Sequence, residues 1–175
     1  LSCLKLYYLQ LRTMKWRCND LSAAEIVTPL FGKSKILKSF SRLLPLLTAV
    51  FTSSSSMRFI GMNHFDYSTE ENCFYKRPQM TNSTIKPLVA FSVDKIYALS
   101  GKTANDEPTT NFEEYDLLTG IWTRLENMPT PHFEGSCLFS KTSNSIVVIG
   151  GSERLNPSLY NPSISVYDFV SRKWR

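Results

Sequence analysis

Short apolar runs alternate with polar, turn-forming stretches along most of the 175-residue chain, a pattern typical of β-hairpins. Three of these runs, at 56–61, 95–101 and 145–151, end in glycine, and a phenylalanine lies eight to ten residues before the last large apolar residue of each. The residues in between are polar and turn-like, so each unit is predicted to be a hairpin. The predicted apolar strands span 46–51, 57–61, 87–92, 95–100, 135–140 and 145–150.

A second kind of hairpin ends in an aromatic residue and recurs with the same spacing. Segments 111–125 and 163–175 align without gaps from a Tyr-Asp pair to a tryptophan six residues past the aspartate. The first seventeen residues fit this frame through Trp16, and a fourth copy is looser, with Asp66 eight residues before Phe74. Phe74 is assigned to the tryptophan position because its distance to the next phenylalanine, seventeen residues, is repeated one unit later. The outer strands are predicted at 64–67, 73–76, 111–116, 121–125, 164–168 and 172–175.

The recurring positions carry residue types that suit structural roles. An aspartate at the start of a tight turn accepts free backbone N–H groups, and glycines after an apolar strand permit positive φ and close backbone approach. One tryptophan in each unit supplies a large apolar body to bury against the next unit. These residues are therefore predicted to build the fold and not to carry catalysis. They are Trp16, Phe74, Gly101, Tyr115, Asp116, Trp122, Gly150, Gly151, Tyr167, Asp168 and Trp174.

The order of an apolar strand into Gly-Gly, then Tyr-Asp, tryptophan and Met-Pro resembles the kelch repeat, a β-propeller blade of four antiparallel strands. Gly150-Gly151 and Met128-Pro129 match this order, together with the two Tyr-Asp pairs. The departures are Ser100-Gly101 and Gly61-Met62 in place of the double glycine, Phe74 in place of tryptophan, and His132 where the family commonly has arginine. The resemblance implies an all-β fold of kelch-type β-propeller blades in an incomplete ring, because about three and a half blades fall short of the roughly four to eight that close a ring.

The four strands of a blade are lettered a to d from the hub outward. On this frame residues 1–17 hold strands c and d of a partial blade, and residues 18–45 form an inserted d–a connection. The remaining blades are predicted at 46–80, 81–129 and 130–175. The insertion is predicted to be part helical, because apolar residues of its segment 33–44 fall on one helical face. The chain is interpreted as a fragment of a propeller.

Charge and cysteine content narrow the function classes. The net charge is +5, and residues 1–60 carry nine Lys or Arg against two acidic residues. A basic half suits nucleic acid or an anionic membrane, but a solvated loop explains it as well. No nucleic-acid partner is therefore predicted, and membrane-surface attachment through residues 33–44 is kept as an alternative. The four cysteines have no C-x-x-C spacing and no histidine cluster beside them, so no metal or other cofactor is predicted. With no leader sequence recognised, we expect reduced thiols and a cytoplasmic protein.

The resemblance implies a binding module, a scaffold or adaptor that presents loops to another protein whose identity stays open. An enzyme is the alternative, because some propellers are copper-radical oxidases or sialidases. A copper-radical oxidase needs histidine and tyrosine ligands, and the two histidines here are sixty-eight residues apart. A sialidase-type aspartate turn has a different spacing to its tryptophan than residues 116–122 show. We therefore expect a protein that is not an enzyme.

Strand parity predicts where a partner binds. In an antiparallel blade the a–b and c–d turns share one side, and the b–c loops and d–a connections share the other. The long b–c loops at 102–111 and 152–163 and the insertion at 18–45 therefore gather on one face, and such loops on a rigid scaffold commonly carry binding. The candidate contacts are Lys35, Asp106, Glu107, Arg154 and Tyr160, with tyrosine and arginine favoured as anchors.

Overall fold

The computed structural model describes residues 4–10, 15–21, 47–51, 56–68, 73–153 and 161–175. Within these ranges every helix or strand element is a β-strand, so the all-β prediction is confirmed. The strands are β1 (Leu4–Gln10), β2 (Lys15–Leu21), β3 (Leu47–Phe51), β4 (Ser56–Gly61), β5 (His64–Ser68), β6 (Cys73–Lys76), β7 (Leu88–Phe91), β8 (Lys95–Leu99), β9 (Phe112–Asp116), β10 (Trp122–Arg124), β11 (Ser136–Ser140), β12 (Ser145–Ile149), β13 (Ile164–Asp168) and β14 (Lys173–Trp174). Every strand predicted beyond residue 45 has a counterpart at its predicted place, and β2 extends to Leu21, past the predicted boundary at residue 17.

Most of the strands form three four-stranded antiparallel sheets. Sheet 1 contains β3–β6, sheet 2 contains β7–β10 and sheet 3 contains β11–β14, and in each sheet the strands pair in chain order without closing into a barrel. Strands β1 and β2 form a separate two-stranded sheet. The first strands of the three sheets are neighbours, since β7 contacts both β3 and β11. The sheets are therefore successive blade-like units, with strand a of each unit next to strand a of the following one.

This arrangement has two sides, which we name by the connections they carry. The loop face carries the b–c loop at 100–111, the described ends 150–153 and 161–163 of the next b–c loop, and the d–a connections at 77–87 and 125–135. The turn face carries the a–b turns at 92–94 and 141–144 and the c–d turns at 117–121 and 169–172.

The three sheets share one strand register, so positions can be matched between them. Strand b begins opposite the end of strand c in each sheet: Ser56 pairs with Ser68, Lys95 with Asp116, and Ser145 with Asp168. Ser68 therefore stands where the turn aspartates stand in the other sheets.

Asp66 has a different role from the one that its spacing to Phe74 suggested. Its position in the register matches Glu114, so the alignment of Asp66 with the turn aspartates is wrong. Asp66 is buried and forms ion pairs with Arg58 at 2.8 Å and with Arg77 at 2.7 Å. The Asp66 carboxylate therefore balances the positive charges of two guanidinium groups, one on β4 and one in the d–a connection that follows sheet 1.

An aromatic pair between strands c and d recurs in each of the three four-stranded sheets. A tyrosine on strand c lies opposite the aromatic residue of strand d, and the two rings are in contact. The centroids are 4.7 Å apart in Tyr67–Phe74, 5.0 Å in Tyr115–Trp122 and 5.1 Å in Tyr167–Trp174. Phe74 thus occupies the tryptophan position of its sheet, as predicted.

Trp122 lies between sheets 1 and 2 and is only 8% exposed, so its predicted burial between units is confirmed. Its ring centroid is 5.6 Å from that of His64 on sheet 1, in an edge-on arrangement. The indole N–H donates to the carbonyl oxygen of Pro78 at 3.0 Å. Trp174 repeats this bond one sheet later, donating to the carbonyl oxygen of Glu126 at 2.9 Å.

The aspartates of the c–d turns act as predicted. Asp116 Oδ1 accepts the N–H groups of residues 118 and 119 at 2.9 and 2.8 Å. Asp168 Oδ1 accepts those of residues 170 and 171 at 2.7 and 3.1 Å. These bonds favour the ionised form, and the amide three residues ahead contributes most to lowering the pKa of each carboxyl. The turns are therefore held by side chains that the repeat pattern identifies.

Candidate functional site

The loop face is built on two turns that require glycine. In sheets 2 and 3 strand b is followed by two residues with positive φ, and the second of them, Gly101 at 92° or Gly151 at 86°, lies against the incoming d–a connection. A Cβ at Gly101 would lie 2.7 Å from the carbonyl oxygen of Ile85, and one at Gly151 would lie 2.7 Å from that of Phe133. Backbone hydrogen bonds tie the same connections to the residue after each glycine. The predicted close backbone approach is therefore confirmed at both turns.

His132 joins sheets 2 and 3 beneath this face. It is completely buried, and its backbone N–H donates to Ser100 Oγ of sheet 2 at 3.0 Å. Its ring Nδ1 lies 2.6 Å from the carbonyl oxygen of Gly150, and its Nε2 lies 2.9 Å from Ser165 Oγ. Because a carbonyl oxygen only accepts, Nδ1 carries the proton in this bond. His132 therefore connects the two sheets and has a hydrogen-bond partner on both ring nitrogens.

Lys102 links the b–c loop of sheet 2 to the d–a connection that leads into sheet 3. Its Nζ lies 4.3 Å from the centroid of the Phe133 ring and 3.0 Å from Asp106 Oδ1. The ring is nearly buried, so the ammonium rests on an aromatic face while it pairs with a carboxylate in its own loop. Loop and neighbouring sheet are thereby held in one arrangement.

The b–c loop at 102–111 is an ordered structure closed by its own hydrogen bonds. The Thr103 N–H donates to the Glu107 carbonyl at 2.8 Å, and the Asp106 N–H donates to the Thr103 carbonyl at 3.1 Å. The Glu107 N–H donates to Thr103 Oγ1 at 3.3 Å. Both acidic residues are exposed, and 67% of the Asp106 side chain is accessible. The loop therefore exposes two acidic residues that are adjacent in sequence, and the carboxylate of Asp106 is paired with Lys102.

The structure places Asp106 and Glu107, which are adjacent in sequence, at exposed positions of the loop, and the other candidate contacts Lys35, Arg154 and Tyr160 lie outside the described residues. The described end of the second long loop is anchored: the Asn161 N–H donates to the Gly151 carbonyl at 2.8 Å, and Asn161 is buried. Both long b–c loops thus return to the glycine turn from which they start.

Glu113 is a buried acid that sequence reasoning did not single out. It is 1% exposed, and its carboxylate accepts the backbone N–H groups of Thr81 and Asn82 at 2.8 and 2.6 Å. These bonds fix the d–a connection between sheets 1 and 2, where Pro78 also accepts from His64 Nδ1 at 3.0 Å. Three of the five residues of β9 are acidic, so the sequence does not mark Glu113 for this role, and its partners lie more than thirty residues away.

The described residues were compared with the requirements of a metal site, a reactive thiol and a membrane-spanning helix. No group of three or more His, Cys, Asp or Glu in the described ranges is placed to hold a metal ion. Burial raises the pKa of the unpaired Cys137 thiol to about 12, so this thiol stays protonated at neutral pH. In the part of the chain that the structure describes, no helix has the length and apolar character needed to cross a bilayer.

The turn face carries a groove that the sequence did not predict. It lies between sheets 2 and 3 and has an aromatic floor, formed by residues from three separate segments of the chain.

Comparison of the chain with models of known protein families and with curated proteins gave no match.

Proposed function

We propose that this protein is a kelch-type interaction module, a scaffold or adaptor whose loop face contacts a partner protein. The observation that carries the proposal is the ordered loop at 102–111, which exposes Asp106 and Glu107. A loop that is already ordered loses little conformational freedom on binding, and this favours affinity. The proposed contacts are these two carboxylates together with Lys35, Arg154 and Tyr160.

The repetition of structure between sheets supports a kelch-type assignment. The aspartate turns, the c–d aromatic pairs and the glycine close approaches recur at matched positions in successive units. The departure at Ser100 fits this frame, because Ser100 adopts a φ of 54° where a glycine is expected and uses its hydroxyl to accept from His132. The unpaired thiol of Cys137 supports the proposed cytoplasmic location, where thiols stay reduced.

Capture of partners from cell extract tests the proposal. The bait is the wild-type chain, and two variants are compared with it: one with residues 102–111 shortened to a tight turn, and one with Glu107→Lys. The matched control is Leu118→Lys, which adds the same side chain at a position on the turn face that is 93% exposed. We expect at least one protein to be captured by the wild type and the control and lost from both loop variants. An unchanged set of captured proteins, with all variants folded by circular dichroism, would exclude this loop as the binding surface.

A further inference from the structure

A groove of about 400 Å³ lies on the turn face between sheets 2 and 3. Its walls are the a–b turns of the two sheets, at 92–95 and 141–144, and its floor contains Tyr97, Phe139 and Phe169. The groove is on the opposite side from the proposed partner-binding loops, so it needs a separate explanation. Its volume falls in the range of about 300–1,000 Å³ that is usual for binding pockets.

The three aromatic rings of the floor contact one another. The Tyr97 centroid is 5.8 Å from that of Phe139, with planes 18° apart, and 5.0 Å from that of Phe169. The two phenylalanine centroids are 6.0 Å apart. Rings packed this closely leave no gap for a cation among them, so they form an apolar platform and not an aromatic cage. Such a platform suits a large apolar or aromatic side chain.

The charged residues around the platform are of two kinds. Lys95 and Glu114 form an ion pair with each other, and this bond is the main cause of the raised Lys95 pKa. Asp94 and Lys141 stand on opposite walls, both exposed, and neither forms an ion pair with another described residue. The Asp94 carboxylate accepts the Ser92 hydroxyl at 3.2 Å and retains further acceptor capacity. One wall therefore offers a negative charge and the other a positive charge.

The walls are held in place from behind. The Leu117 N–H donates to the Asp94 carbonyl at 2.9 Å, and the Phe169 N–H donates to the Asn144 carbonyl at 3.2 Å. Each bond ties an a–b turn to the c–d turn of the same sheet. Each wall is therefore fixed on its own sheet before any ligand arrives.

The platform of three aromatic rings does not recur between sheets 1 and 2. In the shared register Arg58 of sheet 1 takes the position of Tyr97, and Leu117 takes that of Phe169. Arg58 is committed to its ion pair with Asp66. Phe91 takes the position of Phe139, but Arg58 and Leu117 stand in place of the other two rings, so the floor of three aromatic rings is a particular feature of the groove between sheets 2 and 3.

We propose that this groove binds a linear peptide segment of a partner protein, in which a large apolar side chain stands between one basic and one acidic residue. The apolar side chain rests on the platform of Tyr97, Phe139 and Phe169. The basic residue faces Asp94 and the acidic residue faces Lys141. This site is distinct from the loop face and does not depend on the function proposed there.

Binding of short synthetic peptides tests the site directly. The probes are fluorescein-labelled Lys-Gly-Trp-Gly-Glu and its charge-reversed order Glu-Gly-Trp-Gly-Lys, measured by fluorescence anisotropy. We expect one of the two orders to bind more tightly than the other. Replacing the tryptophan of the better peptide by alanine should weaken binding about tenfold or more. Replacing its glutamate by lysine, so that both charged residues are lysine, should weaken binding about threefold. Absence of saturable binding by both mixed-charge peptides, or equal binding of the alanine peptide, would overturn the proposal.

A charge exchange across the groove gives the second test. The double variant Asp94→Lys with Lys141→Glu keeps both charges but swaps their walls, and both positions are exposed, so we expect it to fold and to prefer the opposite peptide order. The Leu118→Lys variant and the variant with residues 102–111 shortened should keep the wild-type preference. These two controls separate the groove from the loop-face function. An unchanged preference in the double variant, verified as folded by circular dichroism, would contradict the assignment of the walls.

Discussion

Removal of the Trp122 side chain tests the packing between sheets 1 and 2. The ring is 8% exposed, packs against His64 and Tyr115 with centroids 5.6 and 5.0 Å away, and donates one hydrogen bond to Pro78. We expect Trp122→Ala to lower the free energy of unfolding by about 3–5 kcal/mol, the usual cost of deleting a buried aromatic side chain.

A second substitution at Trp122 separates the contribution of the indole hydrogen bond from that of ring packing. Trp122→Phe keeps a ring and removes the indole N–H, and the Pro78 carbonyl still accepts from His64 Nδ1 at 3.0 Å. No acceptor is left without a partner, so we expect a loss of about 1–2 kcal/mol. Trp174 is the matched control, because it occupies the same repeat position on sheet 3 but is less buried. Trp174→Ala should therefore cost less than Trp122→Ala.

Urea unfolding followed by circular dichroism measures all three variants, since tryptophan fluorescence changes with the substitutions themselves. The reasoning would be refuted if Trp122→Ala left the unfolding midpoint unchanged, or if Trp174→Ala were the more costly substitution. Either result would mean that Trp122 does not lie between packed sheets.

Three further predictions concern single residues. Burial is the main cause that lowers the pKa of His64 from 6.5 to about 4. The neutral imidazole therefore stabilises the fold above pH 6.5, and this contribution to the free energy of unfolding, up to about 3 kcal/mol, should be lost as the pH falls toward 4. His64→Phe, which copies Phe112 at the matched position of sheet 2, should flatten this part of the pH–stability curve, and an unchanged slope would contradict it. Gly151→Ala should destabilise more than Gly150→Ala in urea unfolding, because a Cβ at Gly151 meets backbone atoms at 2.7–2.8 Å whereas one at Gly150 meets nothing within 4 Å. Peptide mapping after iodoacetamide treatment should find Cys137 unmodified in the folded protein and modified in urea.

Features set by local spacing could be predicted from the sequence. The turn of Asp116 involves residues a few positions apart, so the repeat pattern predicted it, and the same pattern marked Tyr115 and Trp122 as structural positions. Phe74 was placed correctly for the same reason, since its distance to the next hairpin follows that pattern.

Features that depend on contacts between sheets could not be predicted in this way. Glu113 binds amides 31 and 32 residues away, and His132 meets Ser165 33 residues away, so no local pattern marks these partners. Asp66 was misplaced because its spacing resembled a turn aspartate, whereas strand register puts it beside Arg58. The groove escaped sequence reasoning because its floor combines Tyr97 with residues of the following sheet.

Site-specific photo-crosslinking most directly tests the central claim that the loop face binds a partner protein. A benzophenone amino acid replaces Glu107 on the loop face or Thr123, which is exposed on the outer strand β10. The account predicts a crosslinked partner from position 107 and none from position 123 when both proteins are irradiated in cells. A partner crosslinked from position 123 but never from position 107 would contradict it.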